Sequence, residues 1–131
     1  MLEHINPPGN TIPGISQAVR VRKGELVLLS GHVPYTASGT LVEGLPAQLE
    51  QVFANLGTTL AASGCTFNDI ARLTIYVLDF EPSMLADIRA VRDRFITTKT
   101  PPASALIGVS ALFQPGVLVE IDAIAVASDE I

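Results

Sequence analysis

Charged residues make up only 16% of this 131-residue chain, against about a quarter in typical soluble domains, while apolar residues reach 48%. A lone chain of this size needs more polar surface than that, so another subunit is expected to cover part of the apolar area. Lys and Arg number eight, form no long run and leave a net charge of −5. That balance argues against a nucleic-acid partner. No apolar run approaches the ~20 residues of a membrane span. The opening Met1-Leu2-Glu3-His4 has neither the basic start nor the apolar stretch of a signal peptide. One cysteine, Cys65, allows no disulfide framework, and a reducing cytoplasm is the expected setting. His4 and His32 make no metal-ligand spacing with it, and Gly9, Gly14, Gly24 and Gly31 form no phosphate-binding loop. Neither a metal nor another cofactor is expected. The length suits a single domain over residues 1–131, without internal repeats or low-complexity segments.

The segment Asn6-Pro7-Pro8-Gly9-Asn10 reads as loop. Ala18–Val21 and Glu25–Leu29 then read as two strands joined by a tight turn at Lys23-Gly24. Gly31 to Gly44 holds Pro34, Ser38, Gly39 and Thr40 and reads as a surface loop. Pro46 suits a first helical turn, and Leu45, Leu49, Val52, Phe53, Leu56 and Leu60 recur at spacings of three and four, so a helix is predicted as far as Ser63-Gly64. Ile70–Leu78, rich in β-branched and aromatic residues, predicts a strand. A second helix starts near Pro82, places Leu85, Ile88, Val91 and Phe95 on one face and ends before Pro101-Pro102. Ala103–Val109 and Val117–Ala127 are the last two strands, separated by Gln114-Pro115-Gly116.

The order ββαβαββ predicts an α+β fold whose two helices cover only one face of a sheet. In the final strand Val119, Ile121, Ala123 and Ala125 point to the helix-packed side. Leu118, Glu120, Asp122, Ile124 and Val126 point the other way. Two carboxylates among large aliphatic side chains suit a face partly buried between subunits and partly lining a cleft.

Three segments resemble one family. Leu29-Ser30-Gly31-His32-Val33-Pro34 is similar to the "SGQ-x-P" element of the Rid (YjgF, endoribonuclease L-PSP-like) proteins. Asp69-Ile70 through Tyr76-Val77-Leu78-Asp79 resembles their "D-I-x-x-x-T-V-Y-V-x-D" strand. Pro102-Ala103-Ser104 with Val119–Ala125 resembles "P-A-R-S … E-I-E-A-I-A". The likeness runs from about Ser16 to Ala127. It implies a chorismate-mutase-like fold with a mixed sheet, a homotrimer with small-molecule clefts between subunits, and hydrolysis of reactive enamines or imines. The family arginine, however, falls at Ser104, the cysteine two positions on at Leu106, the N-terminal tyrosine at Ile15, and the helix asparagine best at Arg89. This combination resembles a branch that lacks the anchoring arginine.

Imine hydrolysis requires water held against an electrophilic carbon, a proton delivered to nitrogen and a clamp that fixes the substrate. Glu120 is the candidate catalytic acid or water-orienting group, with a structural carboxylate as its bland alternative; Asp122 is assigned a structural role. An arginine binds carboxylate through two parallel hydrogen bonds, which serine at 104 cannot supply. Arg89 is the replacement candidate, whereas Arg92 and Arg94 are assigned to other faces of that helix as surface charges paired with Asp87 or Asp93. Ser30 and Gly31 are candidates for presenting backbone N–H groups to a ligand, and Ile15 and Leu106 for lining the cleft. His32 and Cys65 are read as packing residues. A small-molecule hydrolase is the leading expectation. A non-catalytic ligand-binding or sensor trimer is the alternative. Ribonuclease activity, attached by name to some relatives, fits poorly with the acidic charge and the lack of a basic–aromatic stripe.

Overall fold

The apolar stripe that begins beside Pro46 builds the longest element of the computed structural model, which describes residues 1–9 and 12–128. Helix α1 spans Leu45–Ala62, with the proline in its first turn. Its stripe of Leu49, Val52, Phe53, Leu56 and Leu60 is fully buried. The helix ends as expected: Gly64 lies at φ 74°, its N–H donates to the Ala61 carbonyl, and the Cys65 N–H donates to that of Leu60. Helix α2, Leu85–Phe95, follows a 3-10 turn at Pro82–Met84. It packs beside α1 through Phe95, which stacks on Phe53 with ring centres 5.2 Å apart.

Six strands accompany the helices: β1 Leu2–Ile5, β2 Ala18–Val21, β3 Glu25–His32, β4 Ile70–Leu78, β5 Ala103–Val109 and β6 Val119–Ala127. Four of them form one mixed sheet in the order β3-β6-β4-β5, with β5 parallel to β4 at the edge. The expected α+β architecture is present. Leu73, Ile75, Val77, Val119, Ile121 and Ala125 turn toward the helices and are buried; Thr74, Tyr76, Glu120 and Asp122 alternate with them.

Three local expectations need correction. A first strand, β1, is present where none was predicted; its four residues are all half-buried, so the two-residue alternation that marks a strand is missing. It pairs with β2 in a separate two-stranded sheet, so β2 and β3 do not share one. Strand β3 runs on through Ser30, Gly31 and His32, and the last strand starts at Val119 rather than Val117. Val126, assigned to the open side, is buried, because the turn at Gly24 and the Met1 side chain lie over it. Asn10, the end of the first predicted loop, lies outside the described residues.

Polar side chains tie α1 to the neighbouring loops. The buried Gln48 amide donates to the carbonyls of Val42 and Gly116 and accepts from the Leu118 N–H. Asn55 donates to the carbonyls of Val33 and Tyr35. No helix among the described residues is long and apolar enough to cross a membrane.

Candidate functional site

On the helix side, at the β5 edge, a hollow of about 190 Å³ opens between α2 and the N-terminal loop. Ser104 and Leu106 of β5 face into it beside Ile75 of β4, as the parallel register requires: Leu106 stands opposite Ile75. Leu85, Ile88, Arg89 and Arg92 come from α2, and Ile12, Pro13 and Ile15 from the loop. The loop is held there by Ser16, whose N–H donates to the Pro102 carbonyl and whose hydroxyl donates to that of Pro101. His4 Nδ1 also donates to the Pro101 carbonyl, at 2.9 Å. Four candidates thus meet in one place: Ile15, Arg89, Ser104 and Leu106.

Arg92 corrects an expectation. It is not a surface charge: the residue is 8% exposed, and it lines the hollow with Arg89. Residues three apart share a helix face, so Arg89 brings Arg92 with it. Its Nε and Nη2 do reach Asp93 Oδ1, at 3.0 and 2.9 Å, so the expected pairing is present in a covered setting. Arg94 is exposed, pairing with Glu50 rather than Asp87 or Asp93.

Ser30, Gly31 and Glu120 gather elsewhere. Leu29 pairs with Ala123 and His32 with Ile121, so Ser30 and Gly31 together face the single residue Asp122 in a β-bulge. A Cβ at Gly31 would overlap Oε2 of Glu120; the carboxylate sits directly on the glycine backbone, and this close approach is why glycine is needed. His32 fixes the bulge. Its Nδ1 donates to the Ser30 carbonyl at 2.6 Å, and its Nε2 accepts from the Thr59 hydroxyl of α1 at 2.7 Å. Glu120 itself makes no hydrogen bond or ion pair among the described residues.

Glu120 stands opposite Tyr76, and Tyr76 opposite Ile107. These residues share the open face with Arg72, Thr74, Asp122 and Ile124, which border a shallow hollow beside Leu28. The Tyr76 hydroxyl points to Asp122 Oδ2 at a long 3.4 Å. The Asp122 charge, burial and the nearby Glu120 hold the Tyr76 hydroxyl above the ordinary tyrosine range, with Arg72 opposing. Tyr76 was not foreseen as part of this face, although two-residue alternation from Val77 places it there. Cys65 is buried, and burial, then Asp69, push its thiol up, as befits an inert packing residue.

Within one chain, then, the candidates divide between opposite faces of the sheet. The hollow offers an apolar wall with two guanidinium groups, and the bulge offers a carboxylate over a small residue. No single-chain pocket holds both.

A family model described as Endoribonuclease L-PSP matches residues 10–127. The chain belongs to this family, the Rid/YjgF proteins. It is 41% identical to Protein DfrA of Myxococcus xanthus, over 95% of this chain and 93% of that one. It is 36% identical to the mouse protein named 2-iminobutanoate/2-iminopropanoate deaminase, over 85% of this chain and 79% of the other. The crystal structure of YyfB, a Rid-family protein of unknown function from Yersinia pestis, superposes with a TM-score of 0.87 at 36% identity, covering 95% and 98% of the two chains.

Proposed function

We propose that this Rid-family chain is a hydrolase of small enamines or imines, working in clefts between the subunits of a homotrimer. The carrying observation is the Glu120 carboxylate, uncommitted to other side chains, packed on the Gly31 backbone. In such a cleft Glu120 takes a proton from water as the water oxygen bonds to the imine carbon. The proton passes to nitrogen, the carbon–nitrogen bond breaks, and the products are a carbonyl compound and ammonia. Relatives from Salmonella typhimurium and mouse that carry an iminobutanoate deaminase name, at 32% and 36% identity, support the reading.

The hollow faces one side of the sheet and Glu120 the other, which suits a site assembled from two neighbouring chains. The open face also carries Leu26, Leu28 and Ile107 exposed, an apolar surface that assembly would cover. Light scattering is expected to give three times the 13.8 kDa chain mass.

Turnover decides the reading. Glu120→Gln is expected to keep the fold and assembly and to lower hydrolysis by roughly 10²-fold. With Ser104 in place of an arginine, 2-iminopropanoate is expected to be hydrolysed poorly. The missing charge-assisted contact is worth about 1.5–3 kcal/mol, a ten- to hundredfold loss, and Ser104→Arg should recover it. A Glu120→Gln protein with undiminished turnover overturns the assignment. A second reading, a binding trimer without catalysis, is favoured by Ile15, Ser104 and Leu106, which give the hollow no charge of their own; it is the outcome if no enamine or imine is turned over.

A further inference from the structure

We propose that Arg92 is the anion anchor of the helix-side hollow, and that the ligand is a small 2-oxo or 2-imino acid with a branched aliphatic tail. The choice of acid class rests on the hydrolase reading above.

Arg92 is nine-tenths covered, which is costly for a guanidinium unless its hydrogen bonds are satisfied. Its bonded partner among the described side chains, Asp93, is 43% exposed and water-screened. Asp93 engages Nε and Nη2, and the Nη1 end of the five-donor fork makes no hydrogen bond among the described residues. The backbone closes over the group at Gly14: a Cβ there would lie 2.5 Å from Nη2, and φ is +81°. Only glycine fits, so the guanidinium is clamped between the loop and Asp93. It lines both the 190 Å³ hollow and a second one of about 260 Å³ bordered by Pro13, Gly14 and Thr98. Arg89, exposed on the same helix face, stands at the mouth of both.

The rest of the wall sets the ligand's other end. Ile15, Ile75, Ile88 and Leu106 present aliphatic surface. The enclosed space is equivalent to about six waters, enough for a short branched tail. A fixed guanidinium beside an aliphatic pocket selects a molecule with a carboxylate at one end and hydrocarbon at the other.

Binding of stable probes, read by calorimetry and amide chemical shifts, tests this without any turnover. The probes are 3-methyl-2-oxobutanoate, pyruvate and the uncharged 3-methylbutan-2-one. The branched acid is expected to bind at least about tenfold tighter than either of the others. Arg92→Gln, with its fold checked by circular dichroism, should bring the acid to the ketone's affinity and leave the ketone unchanged. Asp93→Asn, which removes a competing carboxylate, should tighten the acid alone. It decides the matter if Arg92→Gln fails to fold. Equal binding of acid and ketone, an Arg92→Gln protein that still prefers the acid, or an Asp93→Asn protein with unaltered acid affinity each overturns the proposal. Acid binding through Arg92 without hydrolysis of any imine would defeat the hydrolase reading and leave this one standing. Imine hydrolysis without acid binding at Arg92 would do the reverse.

Discussion

On the helix-covered face of the four-stranded sheet, Leu73, Ile75, Val119 and Ile121 are sealed beneath α1. On the opposite face the residues between them, Thr74, Tyr76, Glu120 and Asp122, stand beside Leu28, which is 73% exposed. The same strands make both surfaces. One is completed by the chain's own helices through close packing of hydrocarbon. The other mixes carboxylates, a tyrosine and aliphatic side chains and is left open. The contrast teaches that the fold needs only the first face, and that the second is shaped for what docks on it.

The largest expected effect lies on the sealed face. Phe53 is fully buried and stacks on Phe95, so Phe53→Ala should cost about 3–5 kcal/mol of stability in a denaturant titration. A loss below about 1 kcal/mol would mean that this packing does not hold the domain together.

The open face should respond in function rather than in stability. In Gly31→Ala the new Cβ meets the far end of the Glu120 side chain, which can swing away. Turnover should fall by roughly 10²-fold while the melting temperature stays near the parent's. Large destabilisation instead would show that the bulge is structural.

The smallest effect sharpens the electrostatics. Two tyrosines are present, so Tyr35→Phe isolates Tyr76 in a phenolate absorbance titration. Tyr76 should ionise above the ordinary value near 10, chiefly because of Asp122, and Asp122→Asn should bring it down. The folded value is raised, so the stability it contributes is intact below about pH 10 and is lost as pH rises through the folded value. An unmoved titration in Asp122→Asn would contradict the assigned cause.

Much of this contrast is legible in the residues themselves. Alternation in Val119–Ala127 separates the faces, and the three-and-four spacing from Leu45 to Leu60 announces the covering helix. Ser30 and Gly31 stand out as small residues, but the bulge that sets them against Asp122 exists only once β3 pairs with β6. Arg92 was misplaced although its spacing from Arg89 was available, because helical arginines are normally solvated; its burial depends on the distant Gly14 closing over it. The separation of Glu120 from Ser104 depends on the β4–β5 register, a non-local pairing that no single segment encodes.

The central claim is that the hollow of one chain works with Glu120 of another, and mixing inactive variants tests it most directly. Glu120→Gln lacks the carboxylate, and Leu106→Glu blocks the hollow; each alone should be inactive toward an imine the parent hydrolyses. Unfolded and refolded together in equal amounts, random assembly pairs an intact hollow with an intact Glu120 in about a quarter of the clefts. Activity should return to about that fraction of the parent's. Mixed assemblies, verified by mass, that stay inactive would contradict the account and place the whole site within one chain.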